Sequence, residues 1–292
     1  MITFDDAFLA ELKHISFVLG SMMADGMQGG KKSKLKGNSL EFSDFREYIP
    51  GDDFRRIDWT AYGRLDKLFI KVFMEEKEAV FRIFVDTSRS MNVGTLKSET
   101  TLKLAAALSY IVLDKMDRAY VYSLEGKTAN PYLKSITNKN SFYQLLDRMG
   151  QTQFNHNDDI VKSLISSPIN TKGMSIWISD FLLEGGTTRI EEALRYLGYK
   201  KQQIVMIQVM SPEELNPDML GDYEIKDSET GGCLNITVTP KMREKYKKRL
   251  KDYNTEISRL ANKYGAKYIL VDSTKSLEEI IFKQLLTAGV VN

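Results

Sequence analysis

The chain has 292 residues, 42% of them hydrophobic, enough for one large domain with an appended segment or two modest ones, and this excludes whole-chain disorder. Lys and Arg total 41 against 39 Asp and Glu, a formal net charge of +2, so composition alone gives no case for a nucleic-acid or membrane-surface binder. A single cysteine, Cys233, closes no intramolecular disulfide and two histidines make no His-rich metal centre, which fits a reducing compartment.

Met1-Ile2-Thr3-Phe4-Asp5-Asp6 places acids where a secretory leader needs positive charge, and the longest apolar runs stop well short of the ~20 residues that span a bilayer. A cytoplasmic protein without a transmembrane segment is expected. From Phe4 to about Met23, Phe8, Leu9, Leu12, Ile15, Phe17, Val18 and Met22 fall mostly three or four apart, which predicts an amphipathic helix. Gly26, Gly29 and Gly30 with Lys31, Lys32, Lys34 and Lys36 read as a basic loop; their spacing is wrong for a phosphate-binding loop and no strand precedes them. Residues 39–78 are aromatic and charged, and Leu68–Phe73 has strand composition, so a small β-containing element is expected there.

After Glu78, β-rich runs at Val80–Val85, Ala119–Leu124, Met174–Ser179, Ile204–Val209 and Lys267–Val271 alternate with helical patterns. Those helices are predicted at Thr101–Met116, Ser141–Met149, Asp159–Ser166, Thr188–Leu197, Lys241–Tyr264 and Ser276–Thr287. The alternation predicts a Rossmann-like α/β architecture, a mostly parallel central sheet flanked by helices. Ala129–Ile136 and Cys233–Val238 are weaker strand candidates because of Pro131 and the Gly231-Gly232 pair. The expected division is residues 1–78, holding the helix, basic loop and β segment, and an α/β domain at 79–292.

The first core strand runs into Asp86-Thr87-Ser88-Arg89-Ser90-Met91, at the carboxyl end of a strand, where ligands bind in open α/β sheets. One carboxylate and two hydroxyls suit a hard cation, Mg2+ (or Mn2+), and the absence of thiol or imidazole ligands disfavours zinc. Met174–Ser179 ends in Asp180, which reaches the same edge if the two strands are neighbours, and Asn157-Asp158-Asp159 opens a helix facing that rim. The blander reading is that Asp86, Ser88 and Ser90 cap a turn and Asp180 a helix. Cys233 has no histidine nearby to make it a nucleophile. The basic opening of the helix at Lys241–Lys248 meets water or receives an acidic surface. Asp52, Asp53 and Asp58 lie among Arg46, Arg55, Arg56 and Arg64; charges this dense more often form an ion-paired network that fixes a loop, here with Trp59 and Tyr48 packed beneath it, than a catalytic site. A docking surface is the other reading of that run.

Asp86-x-Ser88-x-Ser90 followed by the distant Ser179-Asp180 resembles the metal-ion-dependent adhesion site, or MIDAS, of von Willebrand factor A domains. Arg46-Glu47-Tyr48-Ile49-Pro50-Gly51-Asp52-Asp53-Phe54-Arg55-Arg56-Ile57-Asp58-Trp59, with Ala61, Arg64 and Leu68, resembles the signature of the domain-of-unknown-function 58 family. The resemblance implies a von Willebrand factor A domain whose metal is held by Asp86, Ser88, Ser90, Asp158 and Asp180, with an open position for an acidic residue of a protein partner. The family's threonine position falls on Asp158, and Thr152 competes for it. The resemblance also implies a bacterial, cytoplasmic-facing, non-enzymatic adaptor beside a MoxR-type AAA+ ATPase; many members carry membrane helices that this sequence lacks. The rival is a magnesium-dependent hydrolase or phosphotransferase using Asp86, which needs a general acid or base that neither His14 nor His156 clearly supplies.

Overall fold

The computed structural model describes residues 2–19, 41–74, 78–94, 96–218, 220–226 and 232–292, so the basic loop expected at 26–36 lies outside the described residues. Two compact units emerge: Met1–Val18 with Ala79–Asn292, and Leu19–Glu78. Helix α1 spans Asp6–Leu12 and is capped by Asp5, whose carboxylate accepts a hydrogen bond from the Phe8 amide at 2.6 Å. The helix expected to reach Met23 stops here, because Ile15 and Phe17 are buried while His14 and Val18 are exposed, a period of two. Ser16 and Val18 bond instead to the backbone of Asn292 and Val290, and Phe17 packs on Phe81 with ring centroids 4.9 Å apart. Residues 1–18 thus group with the larger unit, and residues 20–23 lie outside the described residues.

In the smaller unit, strand β1 (Glu41–Glu47) pairs antiparallel with β2 (Phe69–Met74), and helix α2 (Trp59–Leu65) precedes β2. The aspartates of the arginine-rich run fasten its backbone. Asp52 accepts from both Arg46 terminal nitrogens at 2.9 and 2.7 Å and from the Ile49 amide at 3.0 Å. Those bonds, the Arg46 one foremost, hold its carboxyl below the usual range. Asp53 caps the turn Phe54–Arg56, and Asp58 caps α2 through the Thr60 and Ala61 amides. Trp59 does not pack beneath this network as expected. Its side chain is 64% exposed and edge-on to Tyr62, because α2 is a short surface helix with no buried residue.

The larger unit is a mixed α/β structure around a six-stranded sheet in the order β10-β7-β6-β3-β4-β5. Its strands are β3 (Val80–Asp86), β4 (Arg118–Glu125), β5 (Thr128–Pro131), β6 (Gly173–Ser179), β7 (Gln202–Met210) and β10 (Lys267–Asp272). Every pairing is parallel except β4 with β5. The helices are α3 (Lys97–Asp114), α4 (Lys139–Gly150), α5 (Ile160–Ile165), α6 (Thr187–Tyr199), α7 (Pro212–Leu215), α8 (Pro240–Lys263) and α9 (Leu277–Glu279), the last running into a π-helical stretch at Ile280–Leu285. Strands β3 and β6 are covered on both faces, which is why their sequences read as continuous apolar runs instead of alternating ones. Helix α3 is buried from Thr100 to Val112 except at Lys103, and Ala105, Ala106 and Ala107 keep it slim enough to lie deep in the unit. An apolar cluster joins Phe84 and Trp177 of the sheet to Leu194 and Leu197 of α6 and Ile257 of α8; each such side chain stabilises the fold by roughly 1.5–3 kcal/mol.

The strand expected at Ala129–Ile136 ends at Pro131; the Tyr132 amide makes one more bond, to the Val121 carbonyl, before the chain leaves the ladder, and Ile136 returns only as a bridge to Ala119. Strand β9 (Cys233–Val238) pairs with β8 (Gly221–Lys226) in a hairpin apart from the main sheet. Counted from β3, the chain first winds toward β4 and β5 and then returns to lay β6, β7 and β10 on the other side. The winding reverses between β3 and β6, the crevice where open α/β sheets bind ligands at the carboxyl ends of their strands.

Candidate functional site

At that reversal the parallel register sets Val85 beside Ile178, so the next residues, Asp86 and Ser179, meet at one edge. The Ser179 hydroxyl donates to Asp86 Oδ2 at 2.5 Å, and the Ser88 amide donates to Oδ1 at 2.9 Å. The Ser88 and Ser90 hydroxyl oxygens lie 3.0 Å apart. Asp86 is fully buried; burial, and then the negative charge of Asp180, push its carboxyl up to about 6 against the hydrogen bonds from Ser179 and Ser88.

Asp180 follows β6 and is 1% exposed. Its Oδ1 accepts from the Leu182 amide at 2.9 Å, a tight turn made possible by Phe181 in the left-handed region at φ 57°. Phe181 is held there by the hydrogen bond that its amide donates to Ser179 Oγ and by its edge-on contact with Trp177. Asp180 Oδ2 accepts from Lys97 Nζ at 2.8 Å. The same ammonium donates to Glu214 Oε1 at 2.7 Å and to the Ser90 carbonyl at 3.2 Å. Burial alone would lower Lys97, yet Asp180 and Glu214 outweigh it and hold the ammonium above its ordinary range. Glu214 also closes a capping box, its Oε2 accepting from the Ser211 amide at 2.8 Å. Gly94 is required alongside: at φ 85°, a Cβ there would sit 2.2 Å from Ser211 Oγ.

The structure therefore joins Asp86, Ser88, Ser90 and Asp180 in one cluster with Ser179, Lys97 and Glu214. Asp158 is bonded elsewhere: its Oδ2 accepts from the Gly126 amide at 2.6 Å and lies 3.6 Å from His156 Nδ1. Its loop nevertheless borders the site, since Ser88 bridges His156 and the Arg89 amide donates to the His156 carbonyl. Thr152, the competitor, bonds to the Tyr132 hydroxyl at 2.9 Å. Asp159 caps α5 and binds Arg189. Among the described residues, no three His, Cys, Asp or Glu side chains are grouped to hold a metal. The Asp86 cluster would instead rely on hydroxyls, and one carboxylate with no cationic partner of its own among the described residues, beside two serine oxygens, fits a hard cation such as Mg2+ or Mn2+. Asp180 fits only with its lysine contact replaced.

Sequence reasoning missed Lys97 and Glu214 as members of the site. Glu214 was legible as the fourth residue of Ser211-x-x-Glu214, a helix-cap pattern. Lys97 left one signal, a cation in the first turn of a helix with an opposing dipole.

The profile of the family described as "Protein of unknown function DUF58" matches residues 44–256. An uncharacterized protein of Mycobacterium tuberculosis is 22% identical over 269 residues, covering 90% of this chain and 84% of that protein, and one of Mycobacterium bovis matches to the same degree. The conserved hypothetical protein BatB of Bacteroides thetaiotaomicron superposes with a TM-score of 0.43 at 16% identity, over 72% of this chain and 98% of that one. An aerotolerance-related membrane protein of Bacteroides fragilis gives 0.44 at 17%, over 72% and 99%. No helix among the described residues is long and apolar enough to cross a membrane.

Proposed function

The chain belongs to the DUF58 family, and from that premise we propose that its larger unit is a Rossmann-like von Willebrand factor A domain serving as a non-enzymatic, metal-dependent protein-interaction module. In this reading it is a cytoplasmic adaptor working beside a MoxR-type AAA+ ATPase. The observation that carries the reading is the buried Asp86 carboxylate with the Ser88 and Ser90 hydroxyls at the winding reversal. Asp86, Ser88 and Ser90 would hold Mg2+ or Mn2+, with Asp180 in support; Asp158 would join by exchanging the Gly126 amide for the ion or its water. A cation held largely by neutral hydroxyls keeps much of its charge, so an acidic side chain from a partner gains a charge-assisted contact by completing the shell.

The rival reading, a magnesium-dependent hydrolase or phosphotransferase at Asp86, gains nothing from His156, whose two ring nitrogens face Glu125 and Asp158. The test is capture of a purified MoxR-type ATPase by this chain. Asp86→Ala and EDTA are each expected to weaken capture by about tenfold or more with the circular dichroism spectrum unchanged. Capture indifferent to both would refute the metal-bridged adaptor.

A further inference from the structure

We propose that Lys97 is a tethered cation that competes with the divalent ion for Asp180, so that metal enters the site only as Lys97 gives up Asp180 and settles on Glu214. The proposal rests on the metal-site reading above and adds to it what governs access. Three observations lead to it. The Lys97 side chain is fully buried in the first turn of α3, where burial and the helix dipole both disfavour an ammonium, so only its acid partners account for its charge there. Its three donors meet three acceptors, Asp180 Oδ2, Glu214 Oε1 and the Ser90 carbonyl. Asp180 has its other oxygen on the Leu182 amide, so both its oxygens are engaged while Lys97 is in place.

The rest is charge balance. Asp86, Asp180 and Glu214 bring three carboxylates to a cluster that holds one ammonium. A divalent ion at Asp86 and the lysine at Asp180 would repel each other across a poorly solvated space, and the cheapest relief is movement of the flexible ammonium. Glu214 is placed to keep it: the capping box fixes that carboxylate from the Ser211 side, and its other oxygen already accepts from Lys97. Lys97 also touches the Ser90 carbonyl, so its shift is felt on the turn that supplies the serine ligands.

Mn2+ affinity of the full chain, read by electron paramagnetic resonance of the free ion, decides the matter. Lys97→Met is expected to bind Mn2+ about tenfold more tightly than wild type. Glu214→Gln, which removes the second seat and keeps Lys97 on Asp180, is expected to bind more weakly, and it stands in if Lys97→Met does not fold. In an Asp180→Asn background the gain from Lys97→Met should vanish, because the contested carboxylate is gone. A gain of equal size in that background, or no gain in Lys97→Met, overturns the competition while leaving the metal site standing. No Mn2+ binding by wild type or by Lys97→Met overturns the metal reading itself, and the proposal with it.

Discussion

Two regions of this chain are rich in aspartate, and they treat the charge in opposite ways. Asp52, Asp53 and Asp58 lie within seven positions of one another, surrounded by arginines, and spend their oxygens on local amides and on Arg46 at the surface of the smaller unit. Asp86 and Asp180 are 94 positions apart in the sequence, yet they meet in the interior at the ends of neighbouring strands with Lys97 as counter-ion. Density of acids along a sequence therefore marks a fastened loop, whereas convergence of buried acids from separate strands marks a place with unspent charge. Solvent and local hydrogen bonds settle the first; a buried cation, or a proton on Asp86, settles the second.

The largest effect expected from this contrast is that of Lys97→Met in EDTA, which strands Asp180 and Glu214 without their cation. Urea unfolding should show a loss of about 3–5 kcal/mol, and a loss below about 1 kcal/mol would mean that the interior acids need no counter-ion. Next comes Asp86→Asn. The folded carboxyl sits near 6, above its unfolded value, so the native state holds a proton that the unfolded chain has released between about pH 4 and 6. Metal-free wild type should therefore lose stability as pH rises through that window, by on the order of 3 kcal/mol at neutral pH, while Asp86→Asn should not. Parallel pH–stability curves for the two proteins would mean that the folded Asp86 carboxyl holds no extra proton in this window.

Smaller effects belong to the surface run. Asp58→Ala removes the cap of α2 and should cost about 1 kcal/mol, seen as faster amide exchange in residues 59–65 with the larger unit unchanged. Asp52→Ala should leave both the unfolding midpoint of the larger unit and Mn2+ affinity where they are; a loss of Mn2+ binding would show that the two acidic regions act together.

Much of the sheet was legible because its core strands are continuous apolar runs, and all five were placed within two residues at each end. The first helix was overextended because Ser16, Phe17 and Val18 pair with the far end of the chain, a partner that local periodicity does not register. Trp59 was expected to pack beneath the ion-paired run, yet the short α2 offers it nothing to pack under. At the site, Asp86, Ser88 and Ser90 were legible as one strand-end run, and Asp180 by ending a second strand. Lys97 was not, since its partners lie 83 and 117 positions downstream. Asp158 was placed by counting from a helix start; counting does not reveal that the Gly126 turn takes its carboxylate.

If Asp86 and Asp180 together receive a divalent cation, isothermal titration of Mg2+ and Mn2+ should show saturable one-site binding to wild type that disappears in Asp86→Ala; equal heats from the two proteins would mean that the pair holds no metal.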